Sequence, residues 1–426
     1  MAQTMILRGK YLIDSAGRVV EDAEVVVEGD KIAAIRVKGA GPTASDSEVL
    51  DLGNVALLPG LVNAHTHLEL SAAAPQVKSR PRFTDWLRQV AGVTSAWSDE
   101  TFGSSLAQGI ERSLRLGTTS LGDINAKAGD TRPYASCGMR AHLFYEIIDF
   151  NPKTAEASME SLKARIGVRP PEEDVFIGIA PHTPYTVSEQ LLTLCVNSAH
   201  ENNWRLCIHV AETEAEIEFL NKGTGDILGF RKDFGLPPDW KPPRTSPIRY
   251  LEGLGFLGKP ATLIHCNYVP QDDFDMIGRS RSSVVFCPRS HRYFGHTNHP
   301  FLRMLESGIN VALGTDSLLS SPTLGMLDEM RFVRREFPDI PPEVILKMAT
   351  TNGLEALGFP ADSIPLGRAD LVGVALHDKD SARFRSLLDA VLSENSKVIF
   401  SMSGGKIVFD SRADTMAALD FLNSPL

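Results

Sequence analysis

The chain has 426 residues, of which 43% are hydrophobic and 23% are charged, and its formal net charge is -10. This length exceeds the usual single-domain size, so one large barrel or two domains are expected, with enough apolar material for a buried core. Because binding to phosphates requires clustered lysine and arginine, the acidic balance argues against nucleic acid as a partner.

The cysteine content and the hydropathy pattern indicate a cytoplasmic protein. The five cysteines are scattered and form no Cys-x-x-Cys pair, which is typical of reduced thiols rather than of a disulfide framework. The N-terminal residues lack the apolar core of a signal peptide. No uninterrupted apolar run reaches about 18 residues, so we expect no membrane partner.

Both ends of the chain consist of short β-type segments. Segments 5–7, 23–27 and 31–36 are separated by turn residues, and similar segments follow at 369–376, 397–400 and 406–409. Two β-rich ends around a central domain pack best as one unit. We therefore predict a small composite β-sandwich domain from residues 1–56 and 365–426, and a catalytic barrel domain from residues 57–364.

The middle of the chain alternates apolar strand-like runs with segments that can form helices. Segments 99–116 and 187–201 carry apolar residues at helical spacing, whereas the Pro-rich segment 230–247, with Trp240, predicts a long ordered loop or lid. The strand-like runs are 57–67, 118–124, 140–147, 175–181, 205–210, 261–265, 282–287 and 309–315.

This alternation predicts an α/β protein built from parallel βαβ units. Eight such strands favour a closed (β/α)8 TIM-like barrel. An open doubly wound sheet is the alternative, but no Gly-x-Gly-x-x-Gly turn follows an early strand. The barrel is therefore preferred.

Polar residues stand where five of the predicted strands end. Active sites in such barrels lie at the carboxyl ends of the strands, so we expect these side chains to share one site. The residues are His65 and His67 after the first strand, His182 after the fourth, His209 and Glu212 after the fifth, His265 after the sixth and Asp316 after the eighth.

Four of these side chains have the chemistry of a metal site. Three neutral imidazoles and one carboxylate leave a coordination position open for water, and a metal there lowers the pKa of that water from about 15.7 to about 7. The four are His65, His67, His209 and Asp316. Since residues 175–190 contain no lysine that could bridge two ions, we expect one metal, either Zn²⁺ or Fe²⁺.

The remaining side chains suggest roles around that metal. Glu212 is suited to move a proton from the attacking water to the substrate, or alternatively to orient His209. His265 can hydrogen-bond the reacting groups, and His182 and Tyr185 suit substrate positioning. Trp86 lies on an apolar helical stripe and is expected to form core or a wall of the pocket.

Several motifs together resemble the amidohydrolase superfamily, in its aminohydrolase and chlorohydrolase branch. They span nearly the full chain: LLPGLVNAHTH, GTTSLGDI, APHTPYTVS, HVAET, IHCN, GTDS and MATTNGLEALG. The resemblance implies metal ligands at His65, His67, His209 and Asp316. It also implies catalytic roles for Glu212 and His265, and we expect Asp316 to help His265 stabilise the tetrahedral adduct.

Three shorter features bear on the substrate. HTPYTVS at 182–188 is similar to methylthioadenosine/S-adenosylhomocysteine deaminases, and HLELS at 67–71 to aminodeoxyfutalosine deaminases. Residues 287–296 depart from the commoner pattern Pro-x-Ser-Asn; Arg289, His291 and His296 there either read a polar or anionic part of the substrate or form a surface turn. Glu69 is either a specificity carboxylate or a support for a neighbouring group.

The sequence thus predicts a cytoplasmic, metal-dependent hydrolase that removes ammonia from an amino-substituted heterocycle. The expected partner is a small molecule, an adenine nucleoside-like compound of the methylthioadenosine, S-adenosylhomocysteine or aminodeoxyfutalosine type. One alternative is displacement of chloride or a substituted amine from a triazine-like ring, and a remote one is a catalytically silent scaffold. Pairing into a homodimer is left open.

Overall fold

The computed structural model describes residues 4–40, 48–127, 130–167, 172–360, 367–377, 385–413 and 415–416. Two sheets organise this part of the chain: one of eight strands, and one of nine strands drawn from both chain ends. Among the described residues, no helix combines the length and the apolar character that a membrane crossing requires.

The N-terminal strands form one half of the nine-stranded sheet. The first strand pairs antiparallel with the second and parallel with the fourth and fifth, and the second pairs antiparallel with the third. Leu7, Val25 and Leu57 contribute to a core on this sheet. The strands are β1 (Thr4–Ile13), β2 (Val19–Glu28), β3 (Lys31–Val37), β4 (Glu48–Asp51) and β5 (Val55–Pro59).

The eight-stranded sheet is parallel throughout and closes into the predicted barrel. The amides of Thr315 and Asp316 both donate to the carbonyl of His65 at 3.1 Å, which joins the last strand to the first. Apolar runs buried on both faces are typical of parallel strands. The strands are β6 (Leu61–Thr66), β7 (Thr118–Asn125), β8 (Arg140–Ile147), β9 (Val175–Pro181), β10 (Arg205–Val210), β11 (Thr262–His265), β12 (Ser283–Phe286) and β13 (Val311–Leu313).

The first predicted strand, 57–67, is in fact two strands in different sheets. The chain leaves β5 and enters β6 at Gly60, whose amide donates to the carbonyl of Asp370 at 2.9 Å. A Cβ atom at this position would overlap with Oγ1 of Thr119. Only glycine permits this close approach of the backbone, so the continuous apolar run conceals the transition.

Helices surround the barrel and pack on it through one large apolar core. The predicted helices 99–116 and 187–201 are confirmed as α2 and α5, whereas the predicted loop 230–247 begins within α7. The helices up to residue 253 are α1 (Phe83–Thr94), α2 (Asp99–Arg115), α3 (Arg132–Ser136), α4 (Ala155–Gly167), α5 (Glu189–Asn202), α6 (Glu214–Lys222), α7 (Asp226–Asp233) and α8 (Pro247–Gly253). The later ones are α9 (Phe274–Ser280), α10 (Pro288–Tyr293), α11 (Phe301–Glu306), α12 (Met326–Glu336), α13 (Pro342–Met348), α14 (Thr351–Ala356) and α15 (Leu387–Val391).

The C-terminal strands complete the sheet that the N-terminal strands begin. Strand β14 (Leu371–Ala375) pairs antiparallel with β5, and β15 (Lys397–Ser403), β16 (Lys406–Asp410) and β17 (Thr415–Met416) follow in order. The prediction that both chain ends build one β-rich unit beside a barrel is confirmed. The domain bounds stay a prediction, and the one at residue 365 lies outside the described residues.

Candidate active site and metal centre

Five side chains converge at the carboxyl ends of the barrel strands. His67 Nε2 lies 3.2 Å from His209 Nε2. Asp316 Oδ1 lies 3.7 Å from His65 Nε2 and 3.9 Å from His67 Nε2. The ligand atoms of His65, His209 and His265 also lie within 4.8 Å of one another. The barrel therefore gathers donors from four strand ends around one point.

The donor set fits a metal ion. Neither ring nitrogen of His65 has a hydrogen-bond partner within the described part of the chain, although both are enclosed. His209 donates its Nδ1–H to the carbonyl of His182 at 2.9 Å, which leaves Nε2 unprotonated and directed at the cluster. This is the usual arrangement of a metal-ligating histidine.

Burial keeps these imidazoles in the form that binds metals. It lowers the pKa of His67 to about 3, with His65 adding to the effect and Asp316 opposing it. Burial also lowers the pKa of His209 well below its ordinary value. Neutral imidazole is the ligand form, so the site is ready for an ion at neutral pH.

Asp316 is oriented by three donors. Ser290 Oγ and Ser320 Oγ donate to its Oδ2 at 2.7 and 2.8 Å, and the amide of Ser317 donates to Oδ1 at 2.6 Å. Sequence reasoning did not single out these serines. The hydrogen bonds leave the Oδ1 side of the carboxylate facing His65 and His67.

The turns that carry these side chains have a left-handed backbone. The φ angle is 51° at Ala211, 68° at His265, 55° at Cys266 and 58° at Asp316. Non-glycine residues in this region cost about 1–3 kcal/mol each and persist only where surrounding contacts hold them. Such outliers cluster at functional sites, and here they coincide with the strand ends that bear the cluster.

Glu212 lies beside the cluster without belonging to it. Its Oε1 is 3.5 Å from His265 Nε2, and the side chain is buried. Burial, with further repulsion from Asp316 and Glu216, raises the pKa of Glu212 well above its usual value. A carboxyl group with a raised pKa can both accept and donate a proton near neutral pH.

Glu216 holds the backbone from which Glu212 projects. Its two carboxylate oxygens accept hydrogen bonds from the amides of Ala211 at 2.8 Å and Glu212 at 3.0 Å. Sequence reasoning missed this residue. The signal was present in Thr213-x-x-Glu216, a helix-capping pattern, and the Thr213 hydroxyl does accept from the amide of Glu216.

Several predicted substrate residues lie close to the cluster. The ring centroid of His182 is 5.2 Å from that of His209. His291 and His296 have ring centroids 5.5 Å apart, and His296 Nδ1 lies 2.9 Å from the hydroxyl of Tyr268. His299, which was not predicted, donates from Nε2 to the carbonyl of His265 at 2.7 Å and connects this histidine group to the site.

Other predicted substrate residues have partners within the protein. Arg289 Nε donates to Glu329 Oε1 at 2.7 Å, a buried ion pair rather than a surface turn. Glu69 accepts from the amides of residues 126 and 127. Trp86 packs on Phe83 and Phe294 in a small apolar cluster. Tyr185 is buried, and its hydroxyl has no partner among the described residues. Substrate contact at these four positions stays a prediction.

The comparisons with known proteins agree with this geometry. An adenosine deaminase from Xanthomonas campestris, solved with bound zinc, matches with a TM-score of 0.82 and 23% identity over 98% of this chain and 96% of that chain. The two chains therefore share one fold. The amidohydrolase family model matches residues 56–408, and the chain belongs to this family.

Two relatives make the class more specific. The aminodeoxyfutalosine deaminase of Deinococcus radiodurans is 29% identical over 83% of this chain and 85% of its own length. The 5-methylthioadenosine/S-adenosylhomocysteine deaminase of Pyrococcus abyssi is 28% identical over 95% and 91%. The predicted resemblance and the predicted enzyme class, an aminohydrolase, are both confirmed.

Proposed function

We propose that this protein is a metal-dependent deaminase of an adenine nucleoside-like compound, of the methylthioadenosine, S-adenosylhomocysteine or aminodeoxyfutalosine type. The observation that carries the proposal is the position of Glu212, a buried carboxyl beside the cluster of histidines and Asp316 that could hold a metal ion. The names of the two relatives support the adenine-type substrate.

One Zn²⁺ ion is the proposed cofactor, held by His65, His67, His209 and Asp316. The zinc in the Xanthomonas structure supports this choice, although the same donor set also accepts Fe²⁺. When bound, such an ion lowers the pKa of coordinated water so that a nucleophile is available near neutral pH.

The side chains around the metal would then handle protons and charge. Glu212 would accept a proton from the attacking water and pass it to the ring nitrogen next to the amino-bearing carbon. His265 and Asp316 would hydrogen-bond the tetrahedral adduct. The carbon–nitrogen bond would then break, and the amino group would leave as ammonia after receiving the proton of the adduct's hydroxyl group, whose oxygen becomes the carbonyl oxygen of the product.

The histidines beyond the cluster are proposed to contact the rest of the substrate. Burial lowers the pKa of His182, His291 and His296 to about 4 in each case. All three are therefore neutral at pH 7 and suited to hydroxyl groups or ring nitrogens rather than to an ion pair. Trp86 and Tyr185 are proposed as walls of the pocket, and Arg289 and Glu69 as contacts or supports at its rim.

The proposed location is the cytoplasm. The five cysteines are buried as free thiols, which fits a reducing compartment. A homodimer is also proposed, to be checked by light scattering of the purified protein.

The test is ammonia release by the zinc-loaded protein from adenosine, methylthioadenosine, S-adenosylhomocysteine, aminodeoxyfutalosine, guanine and cytosine. We expect strong release from one of the four adenine nucleosides. Release of chloride or an alkylamine from atrazine, without ammonia from any nucleoside, would instead favour the triazine-type alternative. Silence of the zinc-loaded protein on every compound would overturn the proposed reaction.

A further inference from the structure

A cavity lies between helices α5 to α8, the loop that connects α7 with α8 and the segment that follows β9. Its volume is about 550 Å³. Among the described residues that line it, none is a member of the metal cluster or Glu212. Its walls include the aromatic residues Phe150, Tyr185, Phe219, Trp240 and Tyr250, together with proline and aliphatic side chains.

A buried arginine lines this cavity, and no carboxylate among the described residues forms an ion pair with it. Arg231 is 3% exposed, and its Nε and Nη1 atoms have no hydrogen-bond partner in the described part of the chain. The guanidinium lies over the ring of Phe150, 4.4 Å from the centroid. Burial lowers the pKa of Arg231 to about 10, so the group is charged at neutral pH.

An unpaired buried charge is costly, and proteins normally pair or solvate it. A buried cation that no carboxylate among the described residues pairs, on a cavity with aromatic side chains in its walls, is the expected signature of a site that a ligand completes.

The lining selects the chemistry of that ligand. A guanidinium matches the two oxygens of a carboxylate, and the aromatic walls suit a flat or apolar body. The rim also carries the exposed residues Glu189, Asp239 and Lys241, whose opposite charges partly offset one another. We propose that this cavity binds a small monocarboxylate with an aromatic or apolar body, through Arg231 and the ring of Trp240.

The test compares 3-phenylpropionate with 3-phenylpropan-1-ol on the zinc-loaded protein by calorimetry. We expect saturable binding of the carboxylate and binding of the alcohol weaker by about tenfold or more, since it cannot form the charge-assisted pair. The affinity of Arg231→Met for the carboxylate should be lower than that of the wild type by the same factor. Lys232→Met, which removes an exposed charge next to it in α7, should change nothing.

Three results would overturn the proposal. They are no saturable binding of the carboxylate below about 10 mM, equal affinity for the alcohol, or unchanged affinity in Arg231→Met, which would put the carboxylate elsewhere, for example on the zinc. Arg231→Met should fold, because it removes an unpaired buried charge. If this variant does not fold, tryptophan fluorescence provides the test. Addition of the carboxylate must then change the fluorescence of the wild-type protein and leave that of Trp240→Phe unchanged.

Tyr185 borders this cavity and is also a proposed wall of the substrate pocket, but the two proposals are tested by separate measurements. The cavity test measures binding, whereas the deaminase test measures turnover. Either proposal can therefore fail while the other is supported.

Discussion

Glu212 is the residue on which the proposed chemistry depends, because it is the buried carboxyl group next to the cluster that the ligand set does not use. It can be compared with Glu214, which lies two residues further along at the start of α6 and is exposed. This pair allows a matched comparison. The same change of acid to amide can be made at a buried site position and at a surface position two residues away.

We expect Glu212→Gln to retain the metal and lose turnover by about 10²–10⁴-fold, since the amide cannot accept the proton. Turnover with the active nucleoside and metal content by mass spectrometry would measure the two effects separately. Glu214→Gln should keep near wild-type turnover. A near-normal rate in Glu212→Gln would show that the proton moves by another route.

At the scale of elements, the connection between β10 and α6 acts as one unit. Ala211 has a left-handed φ, Thr213 begins α6 as its capping residue, and Glu216 bonds the amides of the turn from within the helix. The helix thereby holds the carboxyl group of Glu212 at a set position relative to β10. The carboxylate of Glu216 places one oxygen on each of two backbone amides. A glutamine side chain cannot do the same, since it has a single acceptor atom.

We therefore expect Glu216→Gln to lower kcat by roughly tenfold or more with metal content unchanged, because loss of one acceptor releases the turn. Asp273→Asn is the control: it removes another fully buried carboxylate, one that binds Ser246 and Arg249 away from the site. This control should lose stability and keep kcat. Unchanged kcat in Glu216→Gln, with stability reduced as in the control, would leave Glu216 a purely structural residue.

At the scale of the whole molecule, the barrel buries histidines that take no part in the metal cluster. His142, on β8, is buried, stacks on Phe144 and contacts the carbonyl of Leu357 through Nδ1 at 2.9 Å. Burial lowers its pKa to about 4. In the unfolded chain, the pKa of histidine is about 6.5.

Between pH 6.5 and about 4, the unfolded chain binds a proton at this position and the folded protein does not. The free energy of unfolding should therefore fall as the pH falls through this window, by about 1.4 kcal/mol per unit for this residue. We expect the slope for His142→Leu to be smaller than the wild-type slope by that amount, as measured by urea unfolding. Identical slopes would mean that His142 binds its proton as readily in the folded protein as in the unfolded chain.

The sequence by itself determined the strand order and the chemistry that is local to the strand ends. Period and length of the apolar runs predicted the eight barrel strands, although the first run also contained β5, and the spacing within His65-x-His67 and His209-x-x-Glu212 predicted a site at the strand ends. These features could be read because each depends on neighbours within a few residues. The left-handed turns at His265 and Asp316 carry no such signal.

Contacts between residues distant in the chain were decided only by the tertiary structure. The split of one apolar run at Gly60 depends on Thr119, the ion pair of Arg289 depends on Glu329, and the burial of Arg231 depends on helices packed around it. Hydrogen bonds and burial arise from three-dimensional proximity. Residue type and spacing therefore predicted which groups could react, while packing decided which of them are already paired within the protein.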